Sequence, residues 1–217
     1  MTDPGAFIQG QSKPKMLGRK DAAIAVRVAG TLVLASMLSA ETPKLNIRTK
    51  NGLPMEERRK EQMLRLAQQY DLAKYTITRE IVIERGAINH SSPVLTLNLR
   101  FLDDDDLALS AYVHEQGHWY VMARHRPGNP QLFEDLQQTF PNLDYRQPSG
   151  DGELKSSYFH IAVCMLEWQA MEELVGPDRA RRVIEWKQKD HYQGIYALLL
   201  NRRPRVKSVL NRNGVKW

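Results

Sequence analysis

Hydrophobic and polar positions follow a helical pattern along much of the chain. We predict five helices, at residues 55–70, 107–124, 153–175, 179–189 and 191–201. The aspartates at 103–106 mark a helix start, because carboxylates cap a first turn and face the positive end of the helix dipole. Pro127-Gly128 and Gly176-Pro177 mark helix ends, since neither pair continues a helix well.

Two stretches have the pattern of β-strands. Residues 75–84 (YTITREIVIE) are rich in β-branched side chains, and residues 93–102 (PVLTLNLRFL) alternate as in a half-buried strand. Residues 126–152 hold four prolines, which predicts a long connecting region. The predicted fold class is therefore α+β, with a small sheet and a mostly helical C-terminal part.

The N-terminal segment has the order of a secretory signal. A basic segment precedes an apolar run at residues 28–38, and small residues follow up to Ala40. The run is about half of the roughly 20 residues that span a bilayer, so no stable membrane span is expected. We predict a leader at residues 1–40 and a single domain at residues 41–217. A protein with such a leader is periplasmic or secreted; if the segment is instead an ordinary N-terminal helix or strand, the protein is cytoplasmic.

Charge is distributed unevenly along the chain. The net charge is +6, but residues 61–178 carry −9, whereas residues 1–60 carry +6 and residues 179–217 carry +9. An acidic centre is a poor platform for nucleic acid and a suitable place for a cation, so no nucleic-acid partner is expected. The basic C-terminal segment is either a solvated face or a contact for phosphates or an anionic membrane. The single cysteine, Cys164, excludes an intramolecular disulfide and a zinc site of clustered thiolates.

The helix at 107–124 carries the pattern H-E-x-x-H as His114, Glu115 and His118. On a helix, the two histidines lie about 40° apart around the axis and one turn apart along it, so both imidazoles reach one metal ion. Glu115 falls about 100° away and is placed to contact a water molecule that the metal activates. The pattern predicts a zinc site with Glu115 as the general base.

A catalytic zinc site needs a third protein ligand besides the two histidines. On the helix at 153–175, His160, Cys164 and Glu167 share one face that is otherwise apolar. A buried carboxylate on that face needs a partner, and zinc is such a partner, so we expect Glu167 to be the third ligand. His160 is the alternative ligand; because it lies about two turns from Glu167, the two do not readily bind one ion together. His160 otherwise polarises a substrate carbonyl, orients a ligand, or is a hydrogen-bonded core histidine.

His114, Glu115 and His118, followed by a glutamate on a later helix, resemble the gluzincin branch of zinc metallopeptidases. The strings HEQGHW and HIAVCMLEWQAMEEL are also similar to a group of small bacterial HExxH proteins. The resemblance implies a zincin-like fold in which the edge strand at residues 93–102 holds the backbone of a peptide or protein substrate. It also implies Zn²⁺ bound by His114, His118 and Glu167, with Glu115 as the base for peptide hydrolysis.

The pattern does not identify the group that stabilises the oxyanion or donates a proton, for which Tyr158, Tyr192, Tyr196 and His191 are candidates. Two other classes of function stay open. A metal-dependent hydrolase of other amides or esters would share the same metal chemistry. A binding module would use the basic C-terminal segment, and its binding would weaken with salt and survive removal of zinc.

Overall fold

Three short strands and six helices form the described part of the chain. The computed structural model describes residues 44–124 and 130–217, so the predicted leader at residues 1–40 and the predicted helix end at Pro127-Gly128 lie outside it. The elements in chain order are β1 (Asn46–Thr49), α1 (Pro54–Gln69), a 3₁₀ turn (Ala73–Tyr75), β2 (Glu80–Ile83), β3 (Leu95–Leu97), α2 (Asp105–Arg124), α3 (Pro130–Thr139), α4 (Leu154–Val175), α5 (Pro177–Lys187) and α6 (Gln193–Arg212).

The three strands pair in the order β1-β2-β3 and are all parallel. This small sheet, followed by a mostly helical remainder of the described chain, confirms the α+β class. The crossover from β1 to β2 runs through α1, as a parallel pair requires. At the outer edge of β3, Thr96 exchanges backbone hydrogen bonds with His90 at 2.8 and 3.1 Å. The backbone groups of Thr96 on this edge are therefore already paired within the chain.

The strand predicted at residues 75–84 is wrong in length, because only Glu80–Ile83 is extended and paired. Tyr75 belongs to the 3₁₀ turn instead. The segment between the 3₁₀ turn and β2 bonds to Gln116 of α2. The Gln116 amide oxygen accepts from the N–H groups of Ile77 and Thr78 at 2.8 and 2.9 Å. The Gln116 amide nitrogen donates to the Thr78 carbonyl at 2.8 Å. A side chain thus takes the place of a neighbouring strand.

The strand predicted at residues 93–102 is also shorter than expected, since β3 covers only Leu95–Leu97. All three of its residues are buried, so the expected half-buried alternation is wrong. A turn follows, in which the Asn98 side chain accepts a hydrogen bond from the Arg100 N–H at 3.0 Å. β3 is thus covered on both faces, whereas β1 has Asn46 and Arg48 exposed on one face.

The predicted helices at 55–70, 107–124, 153–175 and 179–189 are confirmed, with ends that shift by about two residues at most. The aspartates at the start of α2 act as predicted and also anchor the helix. Asp104 caps the first turn at 2.9 Å, Asp105 pairs with Arg65 of α1, and Asp106 pairs with Arg179 of α5. The beginning of α2 is therefore fixed between α1 and α5.

Two helices differ from the prediction. The region 126–152 contains α3, in which Pro130 is the first residue, a position where a missing N–H costs little. The last helix extends to Arg212 rather than ending at residue 201. A local departure from helical geometry at Arg202, with φ −132° and ψ 19°, lets the chain pass Pro204. The basic C-terminal segment, residues 179–217, comprises most of α5 and all of α6.

The centre of the fold is α4, which packs against α2, α3, α5 and α6. Nearly every side chain in its middle turns is buried, as expected for a helix that is apolar on most sides. Its contact with α2 is close at Gly117, where a Cβ would lie 3.4 Å from Val163 Cγ1. Among the described helices, none is long and apolar enough to cross a membrane.

Candidate metal centre

Three histidines converge where α2 faces α4. His114 and His118 lie one turn apart on α2, and His160 projects from α4. One ring nitrogen of each lies within 4.8 Å of the other two. The Nε2 atoms of His114 and His118 are 3.3 Å apart. We call this group the histidine triad.

The triad could hold a metal ion, and the spacing of two of its nitrogens fits a tetrahedral site. Zinc–nitrogen distances of about 2.0–2.1 Å in tetrahedral geometry place two ligand nitrogens roughly 3.3 Å apart, as seen for His114 and His118. Burial lowers the pKa of His114 to about 4 and holds that of His118 well below its usual value, with the neighbouring imidazoles adding to the effect on His118. Burial also lowers the pKa of His160. Neutral imidazoles present the lone pair that a metal needs.

Hydrogen bonds fix the orientation of two of the rings. His114 Nδ1 lies 2.8 Å from a carboxylate oxygen of Glu167, and His160 Nδ1 lies 2.9 Å from the carbonyl oxygen of Ser156. Both partners are acceptors, so Nδ1 is the donor in each ring. The lone pair of each ring is then on Nε2, the arrangement in which an outer acceptor aligns a metal-binding histidine.

The structure places Glu167 behind His114, at the ring nitrogen that does not face His118. The Glu167 carboxylate is fully buried and contacts four side chains. Its Oε1 atom accepts from Ser110 and lies 2.7 Å from Lys187 Nζ. Its Oε2 atom accepts from His114 and Tyr196, each at 2.8 Å. Burial alone would raise the pKa of Glu167, but Lys187 and His114 hold it below its usual value. Glu167 is therefore an ionised carboxylate whose oxygens are already occupied by protein partners.

A second group, His114, Cys164 and Glu167, also has ligand atoms within 4.8 Å of one another. The ammonium of Lys187 already neutralises the carboxylate in this group and repels a further cation. Burial raises the pKa of the Cys164 thiol, which opposes the thiolate form that a metal binds. Of the two groups, the histidine triad is the better cation site.

Glu115 faces a cleft of about 430 Å³, which we call the polar cleft. His114, Lys187, His191 and Tyr192 also line it. The Glu115 carboxylate accepts no hydrogen bond from any of the described residues, and burial raises its pKa to about 8 against the opposing charge of Lys187. A carboxyl group with a pKa near neutrality is suited to exchange protons.

A second cleft, of about 300 Å³, lies on the other side of the triad and is called the apolar cleft here. Its walls include two triad histidines and four hydrophobic side chains, and the first turn of α4 forms its rim. These wall residues are His118, His160, Val121, Met122, Phe159 and Val163. The triad is thus bordered by a polar space on one side and an apolar space on the other.

Two of the four candidate oxyanion or proton donors reach the polar cleft. The Tyr192 ring lies 4.4 Å from that of His160, and its hydroxyl donates to Asp151 at 3.3 Å. Burial raises the pKa of Tyr192, which keeps the hydroxyl protonated. His191 Nδ1 lies 2.6 Å from Asp190, which two nitrogens of Arg100 also hold. The sequence does not reveal that His191 has this acidic partner in the fold.

The other two candidates, Tyr158 and Tyr196, lie away from both clefts. Tyr158 donates to the carbonyl of Phe140 at 2.8 Å, and Tyr196 donates to Glu167. Both side chains are buried in the core, where their hydroxyl groups have structural partners. They are not placed to contact a molecule bound at the triad.

Sequence analysis missed Lys187, whose side chain is 3% exposed and neutralises Glu167. A signal was present, because Ala180, Val183 and Ile184 mark the buried face of α5 and Lys187 continues that face at helical spacing. A lysine on a buried face needs an acidic partner. The only missing information was which acid, since 20 residues separate Lys187 from Glu167 along the chain.

Comparison of the chain with protein-family models, with curated proteins and with solved structures gave no match in any of the three.

Proposed function

We propose that the protein is a zinc-dependent hydrolase that cleaves peptide bonds, with His114, His118 and His160 as the metal ligands. The observation that carries the proposal is the 3.3 Å separation of the His114 and His118 Nε2 atoms, with His160 converging on them beside an unpaired Glu115. The succession β3, α2, α4 supports a zincin-like arrangement in which α2 is the active-site helix.

In this proposal Glu167 is a positioning residue rather than the third ligand. Its carboxylate accepts from His114 Nδ1 at 2.8 Å and keeps the lone pair of that ring on Nε2. His160 takes the ligand role because its Nδ1 is held by the Ser156 carbonyl and its other nitrogen is free to meet the triad. Ion pairing with Lys187 holds the Glu167 charge in place.

The bound ion would polarise a water molecule and a substrate carbonyl. Glu115 accepts the proton of the attacking water and later passes it to the leaving amine. The Tyr192 hydroxyl at the polar cleft would donate a hydrogen bond to the carbonyl oxygen as it gains charge, in place of its bond to Asp151. His191 uses Nδ1 to donate to Asp190, so its Nε2 is an acceptor and does not supply such a bond. A peptide is the favoured substrate because the two clefts on either side of the triad accommodate groups on both sides of the reacting bond.

Metal affinity distinguishes a ligand from a positioning residue. Purified protein should bind one equivalent of zinc in calorimetry, and a chelator should abolish hydrolysis of a mixed peptide pool. His160→Ala should weaken zinc binding by more than about 100-fold, whereas Glu167→Gln should weaken it by about 10–100-fold, the effect of losing an outer partner. His90→Ala is the matched control, because His90 bonds only within its own loop and strand edge.

The opposite order, with Glu167→Gln losing the metal and His160→Ala retaining it, would contradict the ligand assignment. Absence of zinc binding by the wild-type protein, or peptide hydrolysis that survives chelation, would contradict the function itself. Far-UV circular dichroism of each variant separates loss of a ligand from loss of the fold.

A further inference from the structure

The histidine triad separates two clefts of different chemistry. Glu115 and His114 line the polar cleft, whereas His118 and His160 line the apolar cleft. Both clefts are therefore within reach of the groups next to a carbonyl that lies at the triad. The side chains that line the clefts then decide which neighbouring groups are accepted.

The apolar cleft is lined by side chains that gain from contact with another hydrophobic group. Val121 and Val163 form its floor and are nearly buried, while Phe159 and Met122 leave part of their surface exposed, 44% in the case of Met122. A flexible thioether next to an aromatic ring adapts to different apolar shapes. A volume of about 300 Å³ is at the small end of ligand pockets, which fits one side chain rather than a whole ligand.

The charged groups at the rim of this cleft do not select a charged ligand. Glu153 caps α4 by accepting from the N–H groups of Lys155 and Ser156 at 3.0 and 2.5 Å, so its carboxylate is occupied. Lys155 is the opposite charge at the same rim. A basic side chain would gain no free carboxylate here. An acidic side chain would gain little from the solvent-exposed Lys155, since exposed ion pairs are weak, while it lost its hydration against the apolar walls.

The polar cleft offers the contrasting environment. Its basic side chains already have partners, since Arg100 pairs with Asp190 and Lys187 pairs with Glu167. Gln147, which also lines it, adds an amide group that suits a peptide backbone. Ile88, Phe101 and Pro148 also line this cleft, but they lie among ionisable groups, so its lining is mixed. The apolar cleft is the one in which hydrophobic side chains form the walls and charged groups lie only at the rim.

We propose that the apolar cleft is a specificity subsite that binds one aliphatic or aromatic side chain of a peptide substrate, next to the bond that is cleaved. This inference rests on the proposed function for the cleavage step. The binding itself needs only the walls of the cleft, so it is measurable without metal and without catalysis.

The kinetic test uses matched peptides that differ by a single residue, leucine or aspartate, scanned through each position of one sequence. At one position leucine should be preferred by about 10- to 100-fold in kcat/KM, the range for one apolar group in a pocket. Met122→Lys should reduce that preference at least fivefold. Met55→Lys is the matched control and should leave it unchanged, because Met55 is equally exposed, at 46%, and lies on α1 away from both clefts.

The binding test follows the methyl group of Met122 by NMR in metal-free protein labelled at the methionine methyls, with Met122→Leu used to assign the signal. N-acetyl-leucinamide should shift the Met122 signal in a saturable way in the millimolar range, as expected for a fragment. N-acetyl-aspartamide should leave the Met122 signal in place, and Met55 should not respond to either compound.

The two tests separate the subsite from the chemistry. Peptide hydrolysis without any apolar preference, together with an unmoved Met122 signal, would overturn the subsite and leave the hydrolase standing. A saturable Met122 shift without hydrolysis of any peptide would support the subsite and overturn the proposed cleavage. An equal shift with the aspartate compound would overturn the proposed selectivity.

Discussion

Two carboxylates lie on either side of His114 in opposite environments. Glu115, on α2, borders the polar cleft and accepts no hydrogen bond from the described residues, and burial raises its pKa to about 8. Glu167, on α4, lies in the interior between four helices, and Lys187 and His114 hold its pKa below the usual value despite burial. Both are at most 5% exposed, so burial does not distinguish them.

The difference teaches that partners, rather than depth, determine what a buried carboxylate can do. Glu167 is neutralised by Lys187 and has no free oxygen, so it fixes geometry and does not exchange protons readily. Glu115 has no such partner, so its proton is easily gained and lost near neutral pH. A site with one carboxylate of each kind has a positioning group and a proton-transfer group.

The largest expected effect is the loss of activity in Glu115→Gln. The amide keeps the shape of the side chain and cannot accept a proton, so kcat should fall by about 10²–10⁴-fold. Zinc affinity measured by calorimetry should change little, because Glu115 is not a ligand in the proposal. Peptide hydrolysis at the wild-type rate in this variant would remove the proposed contrast between the two carboxylates.

The next largest effect concerns the stability of the interior pair. Lys187→Met leaves the Glu167 charge buried without its cation and should lower the free energy of unfolding by about 3–5 kcal/mol in urea denaturation. The double variant Lys187→Met with Glu167→Leu should recover much of the loss, since neither buried charge then remains. Arg181→Met, which removes the exposed partner of Glu185 on the same helix, is the control and should cost about 1 kcal/mol or less. A double variant no more stable than Lys187→Met would indicate that the two residues do not act as a pair.

The smallest expected effect is a pH dependence that Glu115 contributes to metal-free protein. The pKa of Glu115 is raised by folding from 4.5 to about 8, so the folded state binds more protons than the unfolded state between these values. The Glu115 carboxyl therefore stabilises the folded state fully below pH 4.5, and this stabilisation is lost as the pH rises towards 8. With water in the cleft relieving part of the burial, the free energy of unfolding should fall by about 1–2 kcal/mol over this range. Glu115→Gln should flatten this part of the stability profile in urea denaturation across pH 5–8. An unchanged slope would mean that the Glu115 carboxyl is better solvated than its burial indicates.

The helices were the most predictable part of the fold. α2 and α4 have strong boundaries in sequence, an aspartate run in one case and Gly176-Pro177 in the other, and both ends are where these residues place them. The strands were less predictable because their ends depend on distant partners. Gln116 on α2 takes over the backbone of residues 77–78, which no local pattern reveals.

The prediction for the last helix failed for a related reason. A proline usually ends a helix, but α6 passes Pro204 because the kink at Arg202 accommodates the ring. The buried residues Val206, Val209 and Leu210 hold the second half against the core. Tertiary packing therefore outweighs the local preference at this position.

The candidate site was predictable as a set of residues but not as a set of roles. Helical spacing correctly places His160, Cys164 and Glu167 on one face of α4, and all three are buried. The side of the His114 ring that Glu167 meets depends on side-chain orientation and on Lys187 from another helix. The spacing of residues along one helix gives neither the side-chain orientation nor the contact with Lys187. It therefore does not show whether Glu167 binds the metal itself or orients a histidine that does.

The three hydrogen bonds of Gln116 have a consequence for how metal would load. Gln116 lies between Glu115 and Gly117 on α2, and its amide is attached to the backbone at Ile77 and Thr78. Turning α2 about its own axis would break all three bonds, so the helix has little rotational freedom. The imidazoles of His114 and His118 are therefore preorganised before an ion arrives, and capture of the ion requires little ordering of the polypeptide.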